Sequence, residues 1–384
     1  MMNRIRKAAT KMPVVSITGP RQSGKTTLAR ECFPKYDYVN LEDPEAREYA
    51  QQDPRAFLGQ FKKGVIIDEA QYVPVLFSYI QVISDESKKP GKFILSGSQN
   101  FLLLEKISQS LAGRVAVFHL LPFSISELNE SGLLVNDFEP HILKGFYPRV
   151  YDKKLNAYDF YASYLNTYIE RDVRQITAVQ NLSDFQKLLR LCAGSAGQLV
   201  NFSSLSIELG VNEKTVKSWL SVLETSFVIF FLQPYHTNFR KRLVKTPKLF
   251  FTDTGLAAYL LGIKNKEQLS SHFAKGALFE NLIIANLLKE QYNKGERASL
   301  YFWRDNSGNE VDCLYEDGTR VKPIEVKSGK TIQSDFFRGI KNLNKVLKAK
   351  PSECFLVYGG NSMKDWKEAR VVGWDKSGGI VSGF

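Results

Sequence analysis

The chain has 384 residues, 43% of them hydrophobic, and carries a formal charge of +12 at pH 7 from 52 Lys and Arg against 40 Asp and Glu. That length exceeds one comfortable hydrophobic core, so two or three domains are expected, and the apolar content excludes an intrinsically disordered chain. The basic balance favours a polyanionic partner, with nucleic acid the commonest, although many basic proteins bind none.

The N-terminal NRIRKAATK is basic, but neither an apolar signal region nor a cleavage site follows it, which argues against export. The longest apolar run, FVIFFL, is far shorter than the roughly 20 residues of a membrane span. Cys32, Cys192, Cys313 and Cys354 are scattered without paired spacing, as expected of reduced, metal-free thiols in a cytoplasmic protein.

From Val14, the β-prone run VVSIT enters Gly19-Pro20-Arg21-Gln22-Ser23-Gly24-Lys25-Thr26-Thr27, and a helical pattern follows. The two glycines let the backbone curl so that successive N–H groups face phosphate oxygens. Lys25 supplies a mobile charge for the β- and γ-phosphates, and Thr26 offers its hydroxyl to Mg²⁺. The following helix adds its positive dipole end. A Gly-rich turn before an ordinary helix is the bland alternative, and placement directly after a strand argues against it. ATP with Mg²⁺ is the expected ligand.

VVSIT, YDYVNL, GVIIDEA, KFILSGS and VAVFHLLPF read as five buried strands alternating with helices or loops, the rhythm of a doubly wound parallel sheet. The run Val65-Ile66-Ile67 ends in two acids, Asp68 and Glu69. In a phosphoryl-transfer site the first acid holds Mg²⁺ and the second polarises the attacking water. Asp68 is therefore the metal-associated acid and Glu69 the expected base. Ser98 or Gln99, after the next strand, reads as a γ-phosphate sensor or simply as part of a polar loop. Arginine-finger candidates are Arg114, Arg149, Arg171 and Arg174, and Arg114 follows the sensor strand. For Arg171 and Arg174 the alternative is a solvated helix face paired with Glu170 and Asp172.

Residues 124–182 turn helical and tyrosine-rich, as a lid would. In residues 183–240, SSLSIELGVNEKTVKSWLSVLET reads as two helices around a turn at Gly210-Val211-Asn212. Their shared core is Leu205, Leu209, Val211, Val216, Trp219, Leu220 and Leu223. VIFFLQPY follows as a wing strand. Lys214, Lys217 and Ser218 then face outward to read DNA, unless the unit is a plain packing module. Arg240, Lys241, Arg242, Lys245 and Lys248 either contact phosphates or form a solvated linker. Residues 241–384 mix the helix GALFENLIIANLLKEQ with the strands LYFWR, EVDCLYE, TRVKPIEVK and CFLVYG. Glu325 and Lys327 lie two apart on one strand face. With Asp312 adjacent, the two carboxylates can hold a divalent metal while Lys327 stabilises phosphate charge, and Glu280 is a fourth member.

Together GPRQSGKTTLAR, VIIDEAQ, SLAGRV, YIERDVRQI, the helix-turn-helix, KRLVKTPKLFFTDTGLAAYL, GALFENLI and IEVKSG resemble one family over almost the whole chain. It is the prokaryotic AAA-family P-loop ATPases with a C-terminal domain of unknown function, a domain that itself resembles the PD-(D/E)XK restriction-endonuclease fold. The resemblance implies nucleotide binding at Gly24, Lys25 and Thr26, the acidic pair Asp68 and Glu69, and a nuclease-like set of Glu280, Asp312, Glu325 and Lys327. In this chain Val311-Asp312 stands where the nuclease pattern has Pro-Asp, which leaves the metal-binding carboxylate in place.

The expected architecture is α/β, with a P-loop parallel-sheet core (residues 1–123), a helical lid (124–182), a winged helix-turn-helix (183–240) and a nuclease-like α/β domain (241–384). The expected function is a cytoplasmic Mg²⁺-dependent ATPase acting on DNA, with no membrane partner. A homo-oligomer and a protein partner are both compatible with it. The alternatives are a nucleotide-operated switch with an inert nuclease-like scaffold, and an ATP-controlled nuclease. A helicase is disfavoured because the DEAQ string lacks an arginine-rich late motif.

Overall fold

The computed structural model describes residues 1–87, 89–97, 110–169, 182–235 and 246–384. Two compact units emerge: Met1–Pro122 with Thr225–Phe227 and Tyr292–Glu296, and Phe123–Glu224 with Val228–Gln291 and Arg297–Phe384.

The first unit is built on β1 (Val14–Thr18), β2 (Asp37–Asn40), β3 (Val65–Asp68), β4 (Phe93–Gly97) and β5 (Val115–His119). They form one sheet of order β2-β3-β4-β1-β5, and every neighbouring pair is parallel. The helices are α1 (Met2–Ala9), α2 (Lys25–Cys32), α3 (Pro44–Gln52), α4 (Pro54–Gly59) and α5 (Val75–Ser87). Strand residues alternate between two cores. Val14, Val65, Ile67, Phe93 and Leu95 pack with Phe57 of α4 and Phe77 and Ile80 of α5. Val15, Ile17, Ile66 and Ile94 pack with Ile5 of α1 and Ala29 of α2. Helices on both faces explain why the central strands read as unbroken apolar runs. The edge strands β2 and β5 are correspondingly less buried than the sequence reading expected.

The second unit holds an eight-stranded mixed sheet of order β12-β13-β11-β10-β9-β8-β6-β7. Its strands are β6 (Ile229–Pro234), β7 (Lys248–Phe251), β8 (Leu300–Arg304), β9 (Glu310–Asp317), β10 (Arg320–Lys327), β11 (Phe355–Tyr358), β12 (Lys364–Asp365) and β13 (Arg370–Gly373). The helix Lys275–Asn293 belongs to the same segment of sequence.

Residues 125–164 form four short helices, and Tyr147, Tyr151, Tyr161 and Tyr164 turn inward. Tyr147 donates to Tyr164 at 2.9 Å, and Tyr161 donates to the carboxylate of Asp253 at 2.6 Å. The helices Phe202–Leu209 and Glu213–Thr225 flank Gly210, whose left-handed φ of 68° ends the first of them. Val216, Trp219, Leu220 and Leu223 are buried as expected, whereas Val211 is partly exposed.

One expected strand has an additional neighbour. VIFFLQPY, read as a wing, contributes β6, which pairs antiparallel with β7 and parallel with β8 inside the large sheet. Its burial between those neighbours accounts for its apolar run.

Candidate nucleotide site

The P-loop joins β1 to α2, and its conformation follows from two left-handed positions, Gln22 at φ 63° and Gly24 at φ 96°. Alternating hands along a short loop turn its N–H groups into one concavity, which suits an anion. Gly19 is required for closeness, since a Cβ there would lie 2.0 Å from the Leu120 carbonyl oxygen. Lys25 is buried, and its Nζ donates to the Gly19 and Pro20 carbonyls at 3.0 and 2.8 Å. The buried Ser23 hydroxyl has no hydrogen-bond partner. A buried, unmatched hydroxyl in such a cradle fits a phosphate oxygen. Arg21 is buried and pairs with Glu42 at 3.6 Å, and Thr27 is exposed at the start of α2.

Strand order places three strand ends together, because β4 lies between β3 and β1. Asp68, at the end of β3, is the centre of the arrangement. Its Oδ2 accepts from Thr26 Oγ1 at 2.6 Å and from the Tyr38 hydroxyl at 3.0 Å. Its Oδ1 accepts from Ser96 Oγ at 2.6 Å and from the Glu69 backbone N–H at 3.1 Å. Burial, and then the Asp68 carboxylate, push the Tyr38 phenol up to about 12, so it stays a donor. The Arg30 guanidinium lies 3.8 Å above the Tyr38 ring. Thr26 and Asp68 thus present two hard oxygens side by side, which fits Mg²⁺ accompanying a nucleotide. Glu69 sits in left-handed backbone at φ 52°, and its Oε2 accepts from Gln71 Nε2 at 2.5 Å. Non-glycine residues hold that conformation at a cost and concentrate at functional sites.

Ser96, Tyr38 and Gln71 were not singled out from sequence. The sensor expectation fell two residues later, on Ser98 and Gln99, which lie outside the described residues, as do Arg171 and Arg174. Arg114, the finger candidate, makes a two-pronged pair with Asp85 of α5, Nε to Oδ1 at 2.6 Å and Nη2 to Oδ2 at 2.9 Å. Arg149 lies in the short helix Pro148–Asp152.

In the second unit the structure brings the four C-terminal candidates close. Lys327 Nζ donates to Glu325 Oε1 at 2.6 Å and to Asp312 Oδ2 at 3.3 Å. Asp312 Oδ2 also accepts the Val326 backbone N–H at 2.8 Å, and the β9–β10 register ends two residues earlier, at Ile324 with Cys313. Burial raises the carboxyls of Glu280 and Glu325, and the Asp312 carboxylate adds to both. A fifth member, Lys248, belongs in sequence to a basic run. Lys248 is buried and pairs with Glu280 at 3.2 Å and Glu310 at 2.5 Å. That burial corrects both of its expected roles, a phosphate contact and a residue of a solvated linker. Arg240, Lys241, Arg242 and Lys245 lie outside the described residues. Among the described residues, no three His, Cys, Asp or Glu side chains are arranged to hold a metal ion. On the helix Glu213–Thr225, Lys214, Lys217 and Ser218 are exposed, and Lys217 pairs with Glu213 at 3.6 Å.

All four cysteines are free and buried, and among the described residues no helix is long and apolar enough to cross a membrane.

Comparison with known proteins gives three family matches. Residues 11–129 match an AAA domain, residues 135–267 the domain of unknown function DUF8612, and residues 275–375 the domain of unknown function DUF4143. An uncharacterized protein of Mycobacterium tuberculosis is 30% identical over 333 residues, which span 85% of this chain and 73% of the relative. An uncharacterized protein of Mycobacterium bovis matches with the same figures, 30% over 333 residues. Among solved structures, the Walker-type ATPase of Pyrococcus abyssi overlaps 67% of this chain and 94% of its own, at 16% identity and a TM-score of 0.46. A signal-transduction ATPase with numerous domains and a tetratricopeptide repeat sensor, from Pyrococcus horikoshii, overlaps 78% of this chain and 47% of its own, at 16% identity and a TM-score of 0.22.

Proposed function

The chain belongs to one family with these mycobacterial proteins and carries an AAA domain at residues 11–129, and from that premise we propose that it is a Mg²⁺-dependent ATPase of the cytoplasm acting on DNA. The observation that carries the ATPase reading is the 2.6 Å hydrogen bond from Thr26 to Asp68, beside a loop shaped for phosphates. Lys25 binds the β- and γ-phosphates as a point charge, and the loop N–H groups orient them. Bound Mg²⁺ supplies charge neutralisation at those phosphates. Thr26 and Asp68 are the residues that hold it. Glu69 takes the proton of the attacking water, and Gln71 fixes the orientation of its carboxylate.

The DNA part of the proposal draws on the +12 charge and on Lys214 and Ser218 exposed on the second helix of the helix-turn-helix. Such contacts would be largely electrostatic and weakly sequence-specific. A second reading, a nucleotide-operated switch with an inert nuclease-like scaffold, is favoured by the lysines that occupy the C-terminal acidic cluster. The test is ATP turnover with and without single- and double-stranded DNA at low and high salt. Turnover raised by DNA and lost with salt supports the first reading. Slow turnover indifferent to DNA supports the second. No turnover and no ATP binding overturns both.

A further inference from the structure

Four acids converge in the second unit: Glu280 on the helix Lys275–Asn293, Glu310 and Asp312 on β9, and Glu325 on β10. Carboxylates gathered this way repel one another and need compensating positive charge. In a nuclease-like site that charge is a divalent cation with several oxygen ligands. Here two ammonium groups already lie on those oxygens. Lys248 Nζ sits 3.2 Å from Glu280 and 2.5 Å from Glu310, and the Phe302 ring centroid is 5.6 Å away. Lys327 Nζ bridges Glu325 at 2.6 Å and Asp312 at 3.3 Å. Asp312 is further engaged by the Val326 N–H.

From this arrangement we infer that Lys248 and Lys327 together stand in for the divalent cation, supplying its two positive charges to the four acids, so that the cluster holds no metal while Lys248 is seated. Two ammonium charges equal the charge of one divalent ion. A metal would have to displace an ammonium to reach enough oxygens. Lys327 belongs to the acid-x-Lys pattern anticipated for such a site, whereas Lys248 arrives from a separate edge strand and supplies the second charge.

Lys248 is firmly placed. It opens β7, where it pairs with Leu232 of β6 on one side and bridges Leu199 on the other. The neighbouring bonds Val200 N–H to Pro247 O at 2.9 Å and Leu249 N–H to Gln198 O at 3.1 Å hold that strand from the 198–200 side. Burial pulls the Lys248 ammonium toward neutrality, but Glu280, Asp312 and Glu310 outweigh it and keep the group charged. One acceptor is left over, the buried Glu325 Oε2, which has no partner. It faces Gly339, where an added Cβ would lie 2.7 Å from it, so backbone rather than open space adjoins that oxygen.

The test is Mn²⁺ titration of the nucleotide-free full chain, followed by electron paramagnetic resonance, for wild type, Lys248→Met, Asp312→Asn and the double variant. Wild type and Asp312→Asn should bind Mn²⁺ alike up to about 1 mM, the weak end of protein sites for hard cations. Lys248→Met should gain a site at least about 10-fold tighter, and the double variant should lose it. Any Asp312-dependent Mn²⁺ binding by wild type, as tight as in Lys248→Met, overturns the inference. So does a folded Lys248→Met that gains no site. If Lys248→Met does not fold, Lys248→Gln replaces it, and the wild-type comparison with Asp312→Asn decides in either case.

Discussion

Thr26 Oγ1 and Asp68 Oδ2 lie 2.6 Å apart, although 42 residues separate them in sequence. Ser96 grips the other oxygen of the same carboxylate, at 2.6 Å. Asp68 is therefore oriented from both sides before any nucleotide arrives, and its position depends on α2, β3 and β4 together. Ser96→Ala should cost about 1.5–3 kcal/mol in chemical unfolding, as expected for a buried hydrogen bond to a charged group. It should also raise the Mg²⁺ concentration needed for half-maximal turnover. Unchanged stability and unchanged Mg²⁺ dependence would remove Ser96 from this role.

The P-loop tolerates no side chain at its first glycine. Gly19→Ala places a Cβ against the Leu120 carbonyl, itself held by the Leu120 N–H bond to Thr18 at 2.7 Å. Relief requires moving backbone, at about 1–3 kcal/mol. ATP affinity should fall by roughly 5- to 150-fold, the equivalent of that energy. Titration with a fluorescent ATP analogue reads the change, and wild-type affinity would show that the loop relaxes freely.

Much of this arrangement is legible in local sequence. The P-loop, the acid pair and the helix-turn-helix each depend on short spacings, and the elements appear where those spacings put them. Ser96 and Tyr38 were not legible, because their contact with Asp68 exists only once β2, β3 and β4 stand in that order. Lys248 misled for the opposite reason. It closes a basic run, yet strand pairing buries it among acids that lie 32 to 64 residues away in β9 and the preceding helix, at Glu280 and Asp312. The strand VIFFLQPY shows the same limit, since an apolar strand after a helix-turn-helix does not reveal which further strands it joins.

Two histidines make stability sensitive to acid. Burial pushes both His119 and His141 down to about 4. His119 Nδ1 lies 2.8 Å from the Thr18 hydroxyl, and His141 Nε2 accepts the Val135 N–H at 3.0 Å. Both are neutral when folded, while unfolded histidine titrates near 6.5. The unfolded chain thus binds more protons between those values, so stability is complete above about 6.5 and falls as pH drops toward 4. Each contributes about 1–3 kcal/mol across that window. Unfolding free energies from pH 4 to 7 should show a shallower slope for His119→Gln than for wild type. Identical slopes would place the acid sensitivity elsewhere.

The most direct test is ATP binding and ATP hydrolysis measured side by side for wild type, Lys25→Ala and Glu69→Gln. Lys25→Ala should lose most of its ATP affinity, because the polyphosphate loses its principal cation. Glu69→Gln should bind ATP within a few-fold of wild type and turn it over about 100- to 10,000-fold more slowly, since it keeps shape but lacks the base. Wild-type turnover in Glu69→Gln, or undiminished ATP binding in Lys25→Ala, would contradict the assignment of this site.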